Sequence, residues 1–197
     1  MREVELKSVV DDLRRRCEAV EGRGAIRVFT GELVDRRFDT AERSLTARDH
    51  VLRVRVYRSG SHSRAELDFK GPTTLDNGYK VREELGTELV DANATVAILD
   101  RLGYEVTITI DREIVQYDLD GAMIRFETYP RMDDLVEVEG TPEQIERAIA
   151  ALGLPRAGFV ADRLSDFARR FEERTGQLAA VSHAALATGA HYEGANG

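Results

Sequence analysis

Charged and apolar residues alternate in one short segment of this chain after another, with the period of two that sends successive strand side chains to opposite faces. In segment 2–7, Glu3, Glu5 and Lys7 share one face and Val4 and Leu6 the other; in 51–58, Arg53 and Arg55 oppose Leu52, Val54 and Val56. The same split sets Lys70 against Leu67 and Phe69, and Lys80, Arg82 and Glu84 against Val81 and Leu85. It sets Arg125 and Glu127 against Ile124 and Phe126, and Glu137 and Glu139 against Val136 and Val138. Arg112 joins the charged set although Ile108 and Ile110 share its face. Any one of these strands is an ordinary half-solvated face. Together, eight cations stand with six carboxylates, a local surplus of +2 in a chain whose net charge is -8. The carboxylates dominate the first and last strands, and the middle strands are basic.

An open sheet would hold these charges in water with no need for such sorting. Closing it into an antiparallel barrel turns the apolar faces outward beneath helices and gathers the charges around a central passage. Burying so many ions without partners costs several kcal/mol each, so the passage must hold water, metal and a polyanion. A ligand with three linked phosphates fits, because Arg and Lys bind its oxygens while Mg²⁺ or Mn²⁺ bridges other oxygens to carboxylates. The negative total excludes a nucleic-acid or anionic-membrane binder that works through overall basicity. No stretch approaches the roughly 20 apolar residues of a membrane span, and the single cysteine, Cys17, excludes a disulfide framework and reads as a core residue. A soluble cytoplasmic protein is the expectation.

The remaining patterns fill in an α+β domain. After the first strand, the spacing of Val9, Leu13, Cys17 and Val20 predicts an amphipathic helix that ends at Gly22 and Gly24. Extended segments follow near 25–39, 51–58, 64–70 and 79–85, divided by Ser/Gly and Pro/Asn/Gly clusters. Asp91 caps a helix through Val96, Leu99 and Leu102, and the hairpin dipeptide Asp120-Gly121 joins strands 104–119 and 122–129, with a last strand at 134–140. Thr141-Pro142-Glu143-Gln144 opens a helix that runs to Gly153, and a final helix spans about 158–174. The domain therefore covers 1–175, and the Ala-, Gly- and Ser-rich 176–197 reads as a flexible tail. The four histidines lack metal spacing and read as structural or solvated.

The residues also resemble the CYTH, or triphosphate tunnel metalloenzyme, family. Glu3-Val4-Glu5-Leu6-Lys7 is similar to its ExExK signature, Phe38-Asp39-Thr40 to FDT, and Leu52-Arg53-Val54-Arg55 to LRxR. Leu67 to Pro72 is similar to LxxKGP, Arg82-Glu83-Glu84 to RxE, and Val136 to Glu139 to the closing ExE, all in order over about 2–140. The resemblance implies a closed barrel of about eight strands with helices outside. It implies Glu3, Glu5, Glu137 and Glu139 as metal ligands, and Lys7, Arg53, Arg55, Lys70, Arg82 and Arg112 as the phosphate-binding set. Glu84 matches a tunnel carboxylate. Two positions depart from the pattern: Glu127 stands where the family often has aspartate, one methylene longer but still able to bind a hard cation, and Ile110 stands where a basic residue is common. Lys80 and Arg125 are placed among the substrate cations by parity alone.

The expected activity is metal-dependent hydrolysis of tripolyphosphate, a nucleoside triphosphate or thiamine triphosphate, with Mg²⁺ or Mn²⁺ as cofactor. Lys7, Glu84 and Glu127 are the candidate catalytic groups, and Glu127 doubles as a candidate metal ligand beside Glu137 and Glu139. A class IV adenylate cyclase would grip ATP with the same residues and expel pyrophosphate. A binding module without turnover is the alternative of another class. The only partner expected is the small-molecule substrate; no nucleic acid or membrane is implied, and a homodimer is compatible with the reading.

Overall fold

The computed structural model describes residues 2–192. Nine strands and five helices follow the chain: β1 (Arg2–Val9), α1 (Leu13–Glu21), β2 (Ile26–Thr40), β3 (Val51–Ser59), β4 (His62–Lys70), β5 (Thr74–Asp76), β6 (Tyr79–Leu89) and α2 (Ala92–Arg101). Then come β7 (Tyr104–Leu119), β8 (Ala122–Thr128), β9 (Leu135–Glu139), α3 (Pro142–Leu152), α4 (Leu164–Thr175) and α5 (His183–Thr188). The hydrogen-bonded order is β1-β9-β8-β7-β2-β3-β4-β6, and β1 pairs back onto β6, so eight antiparallel strands close into a barrel. The short β5 lies outside it, paired with β6. Closure sets β1 between an acidic and a basic neighbour: Lys7 faces Glu137 across β9, while Glu3 faces Arg82 and Glu5 faces Lys80 across β6.

Apolar faces point outward. Leu6, Ile124, Phe126, Val136 and Val138 pack under α1 and α3, whose Cys17, Val20, Ile145, Ile149 and Leu152 are buried against them. Leu99 and Val96 of α2 cover Phe38, Val54 and Leu67. A third cluster joins Leu164 and Phe167 of α4 to Ile110, Tyr129, Leu135 and Val181. Inside the barrel, on the face that carries the charges, Leu33, Tyr57 and Ile114 pack together and fill the lumen, so the charged space is a cavity bounded by an apolar plug.

Local chemistry explains the boundaries. Asp120 and Gly121 both take positive φ, 51° and 82°, the geometry of a tight hairpin turn between β7 and β8. At α3, Gln144 donates its backbone N–H to the Thr141 hydroxyl, and the Gln144 side chain accepts from the Thr141 N–H. Two expectations need correction. The last long helix starts at Leu164, not near 158, because Lys7 and Val160 exchange backbone hydrogen bonds of 2.9 and 2.8 Å that hold residue 160 extended. Phe159 is buried ahead of that helix instead of lying on it. Nor is 176–192 a free tail: Ala179, Ala180 and Val181 are buried, Ala180 exchanges backbone hydrogen bonds with Arg131, and Asp111 N–H donates to the Val181 carbonyl. Ser182 then caps α5. Residues 193–197 lie outside the described residues.

Candidate functional site

Fourteen interior charges are expected from strand parity and motif resemblance, and all fourteen line a single cavity of about 240 Å³. Asp35, Arg37 and Tyr129 line it as well. Nine cations and seven carboxylates therefore share this space. Twelve of the sixteen are buried and Lys7, Arg37, Glu84 and Glu139 are half-buried; the arrangement is tolerable because most are matched. Arg55 holds Asp35 through two hydrogen bonds of 2.8 and 3.1 Å, and Arg112 donates to the same carboxylate at 3.0 Å. Arg53 donates to Asp68 at 2.9 Å. Lys70 grips both oxygens of Glu3 at 2.5 and 2.6 Å, and Lys80 donates to Glu5 at 2.7 Å. Lys7 lies between Glu5 at 3.0 Å and Glu137, and Arg125 reaches Glu137 at 2.9 Å.

These contacts set the protonation states. Burial alone would push Glu5 up, but Lys7 and Lys80 outweigh it and hold the carboxyl well below its ordinary range. Burial likewise opposes the charge on Lys7, yet Glu137 and Glu5 keep its ammonium more firmly protonated than an ordinary lysine. Glu137 is held at about 2, chiefly by Lys7 against the effect of burial. Lys80 is drawn down because burial outweighs its contact with Glu5.

A second group of carboxylates lies together in the same cavity. Glu3, Glu84 and Glu139 each present an oxygen, and these oxygens lie within 4.8 Å of one another. Burial and the neighbouring Glu3 and Glu137 push Glu139 up to about 7; burial and Glu5 also raise Glu3. Lys70 contacts Glu3 and Glu84, yet burial and carboxylate repulsion outweigh it at Glu3, and a cluster built only of hard oxygen donors suits Mg²⁺ or Mn²⁺. Glu84 thus joins Glu3 and Glu139, with Lys70 against Glu3 and Glu84, while Glu5 and Glu137 lie outside the cluster and are engaged by Lys7 and Lys80 and by Lys7 and Arg125, respectively. Glu127 is more deeply committed: it accepts from the Tyr129 hydroxyl at 2.6 Å, and Arg112 Nε lies 3.0 Å away as an ion pair without hydrogen-bond alignment.

Asp35, Asp68, Arg37 and Tyr129 escape the sequence reading. On β2 the inward residues are Leu33, Asp35 and Arg37, while the outward ones, Val34, Arg36 and Phe38, include an exposed arginine, so the alternation is blurred. Asp68 shares the face of Lys70, and parity could have flagged it.

A closed barrel whose lumen matches cations with carboxylates and adds an oxygen-donor cluster defines the tunnel-fold class of proteins. Within that class the chain belongs to the CYTH family, whose domain model matches residues 1–148. Solved structures share the fold. A protein from Pyrococcus horikoshii is 24% identical over 82% of this chain and 94% of its own, with a TM-score of 0.68. A candidate adenylate cyclase from Vibrio parahaemolyticus is 19% identical over 84% and 96%, with a TM-score of 0.72. A candidate adenylyl cyclase from Hippeastrum, described as revealing a dominant triphosphatase activity, is 19% identical over 92% and 99%, with a TM-score of 0.59. Comparison with curated proteins gives no match. Among the described residues, no helix is long and apolar enough to cross a membrane.

Proposed function

We propose that this chain is a divalent-metal-dependent triphosphatase that holds inorganic tripolyphosphate, a nucleoside triphosphate or thiamine triphosphate in its barrel and releases phosphate. One observation carries the reading: nine cationic side chains share a single cavity with the Glu3, Glu84 and Glu139 cluster. That arrangement suits a polyanion whose charge is divided between protein cations and a bound metal ion. Glu3, Glu84 and Glu139 would hold Mg²⁺ or Mn²⁺, which when bound offsets the charge on phosphate oxygens.

The chain's own groups position and stabilise. Lys7, Arg53, Arg55, Lys70, Lys80, Arg112 and Arg125 already sit against carboxylate oxygens. An arriving triphosphate therefore exchanges one set of oxygen partners for another, and the cations need little reorganisation when charge shifts toward the leaving group. Lys7, kept protonated by Glu137 and Glu5, acts as an electrostatic group and not as a base. Water attacks the terminal phosphorus, the anhydride P–O bond breaks with its electron pair leaving on the remaining phosphate chain, and the water proton passes to a carboxylate of the cluster. Buried Glu127 holds Arg112 in place.

Incubation with tripolyphosphate, ATP and thiamine triphosphate, each with Mg²⁺ or Mn²⁺, tests the proposal. Phosphate release from at least one is expected. It should fall by about 100-fold or more in a Glu3→Gln, Glu139→Gln double variant that keeps its circular dichroism spectrum. Cyclic AMP and pyrophosphate as the sole products of ATP would instead identify a cyclase, and binding without turnover a passive module.

A further inference from the structure

Seven of the nine cavity cations have a carboxylate partner; the other two, Arg37 and Arg82, have no ion pair with a carboxylate among the described residues. Arg82 is buried and spends its Nε and Nη2 donors on the backbone carbonyls of Gly71 and Asp49, both at 2.7 Å. Those partners are neutral, so among the described residues no carboxylate contacts its guanidinium directly. Arg37 is barer still: its Nε is buried without any hydrogen-bond acceptor. Register explains why. Arg37 faces Arg53 across β3 and Ile108 across β7, so neither cross-strand neighbour is an anion, and Arg53 is already committed to Asp68.

Both side chains line the same cavity, and burial first, with the Arg37 charge adding to it, draws Arg82 below its ordinary value against the pull of Asp49, Glu3 and Glu5. A buried donor with no acceptor, in the same cavity as a second cation without a direct carboxylate contact, is unfavourable in the empty protein. An anion placed there relieves both problems at once. The position is informative as well, because Arg82 lies opposite Glu3 on β1, and Glu3 belongs to the Glu3, Glu84 and Glu139 cluster.

From this juxtaposition we infer that Arg37 is a substrate-binding residue: with Arg82 it forms an anion subsite for the phosphoryl group that lies nearest the Glu3, Glu84 and Glu139 cluster. The inference rests on the triphosphate reading above and names which guanidinium groups take that phosphoryl. Arg37 offers planar paired donors to phosphate oxygens, and the unsatisfied Nε is the donor that becomes engaged.

Calorimetric titration of the metal-free protein with tripolyphosphate separates the two ideas. Wild type is expected to bind, Arg37→Gln to bind about 10- to 100-fold more weakly, and Arg37→Lys, which keeps the charge but not the fork of donors, to fall between them. Melting temperatures of both variants should stay near that of wild type, because among the described residues the Arg37 side chain forms no hydrogen bond or ion pair that its replacement would break. If Arg37→Gln binds within about twofold of wild type, the subsite is wrong while the triphosphate reading stands. If Arg37→Gln does not fold, Arg37→Lys carries the test, and equal binding by it and wild type overturns the role of the guanidinium fork. A wild-type protein that binds no tripolyphosphate removes the triphosphate reading and the subsite with it.

Discussion

Asp35 carries more of the cavity than its single charge suggests. It is 1% exposed, it anchors Arg55 and Arg112, and Arg53 Nη1 lies 3.6 Å away. Replacing it with Asn leaves several buried guanidinium groups short of a counter-charge, so Asp35→Asn should cost on the order of 3–5 kcal/mol in chemical denaturation. An unchanged unfolding midpoint would show that the pairing contributes nothing. Burial alone would raise the Asp35 carboxyl, but Arg55 and Arg112 outweigh it and hold it well below its ordinary value near 3.8. A carboxyl depressed in the folded state contributes stability that is complete above the unfolded value and is lost as pH falls toward the folded one. The stability gap between wild type and Asp35→Asn should therefore be full at neutral pH and shrink below about pH 3.8. A gap that stays constant into acid, followed by circular dichroism, would contradict the assignment.

At the scale of elements, helices earn their places by what they cover, and their ends are set by short local signals. The capping box at α3 satisfies two otherwise free N–H groups, so Thr141→Ala should cost about 1 kcal/mol, a fall of about 2–4 °C in melting temperature for a chain of this size. No change would mean that packing of Ile145, Ile149 and Leu152 alone holds the helix. The segment after α4 is a contrasting case. Its small side chains resemble a linker in sequence, yet Val181 packs with Leu164 and Phe167 on the cluster that includes Ile110, a cavity-lining residue. Truncation after Gly176 should lower the melting temperature and weaken the α4 contact with the barrel. A truncated protein that melts like the full chain would return the segment to the role of a tail.

For the molecule as a whole, the governing quantity is a cluster of buried charge in a chain whose total is -8. Nine cations against seven carboxylates in the cavity leave a surplus that a polyanion offsets. Tripolyphosphate should stabilise the fold by about 2.7 kcal/mol at a hundred times its dissociation constant, read as a rise in melting temperature, and added salt should weaken its affinity. Absence of any thermal shift at millimolar ligand would count against a polyanion site.

Much of this site is legible in the sequence because period-two alternation is a local property: whatever the partners of β1, Glu3, Glu5 and Lys7 share one face. Cross-strand relations are not local. That Glu84 meets Glu3 and Glu139, that Asp35 lies under Arg55 and Arg112, and that Arg37 falls between Arg53 and Ile108 depend on register and on β1 closing against both β6 and β9. The linear order of residues is enough to say which side chains point inward. Which of those charges neutralise one another, and which are left for a ligand, is settled only when distant strands come into register, because ionic interactions act through space and not along the chain.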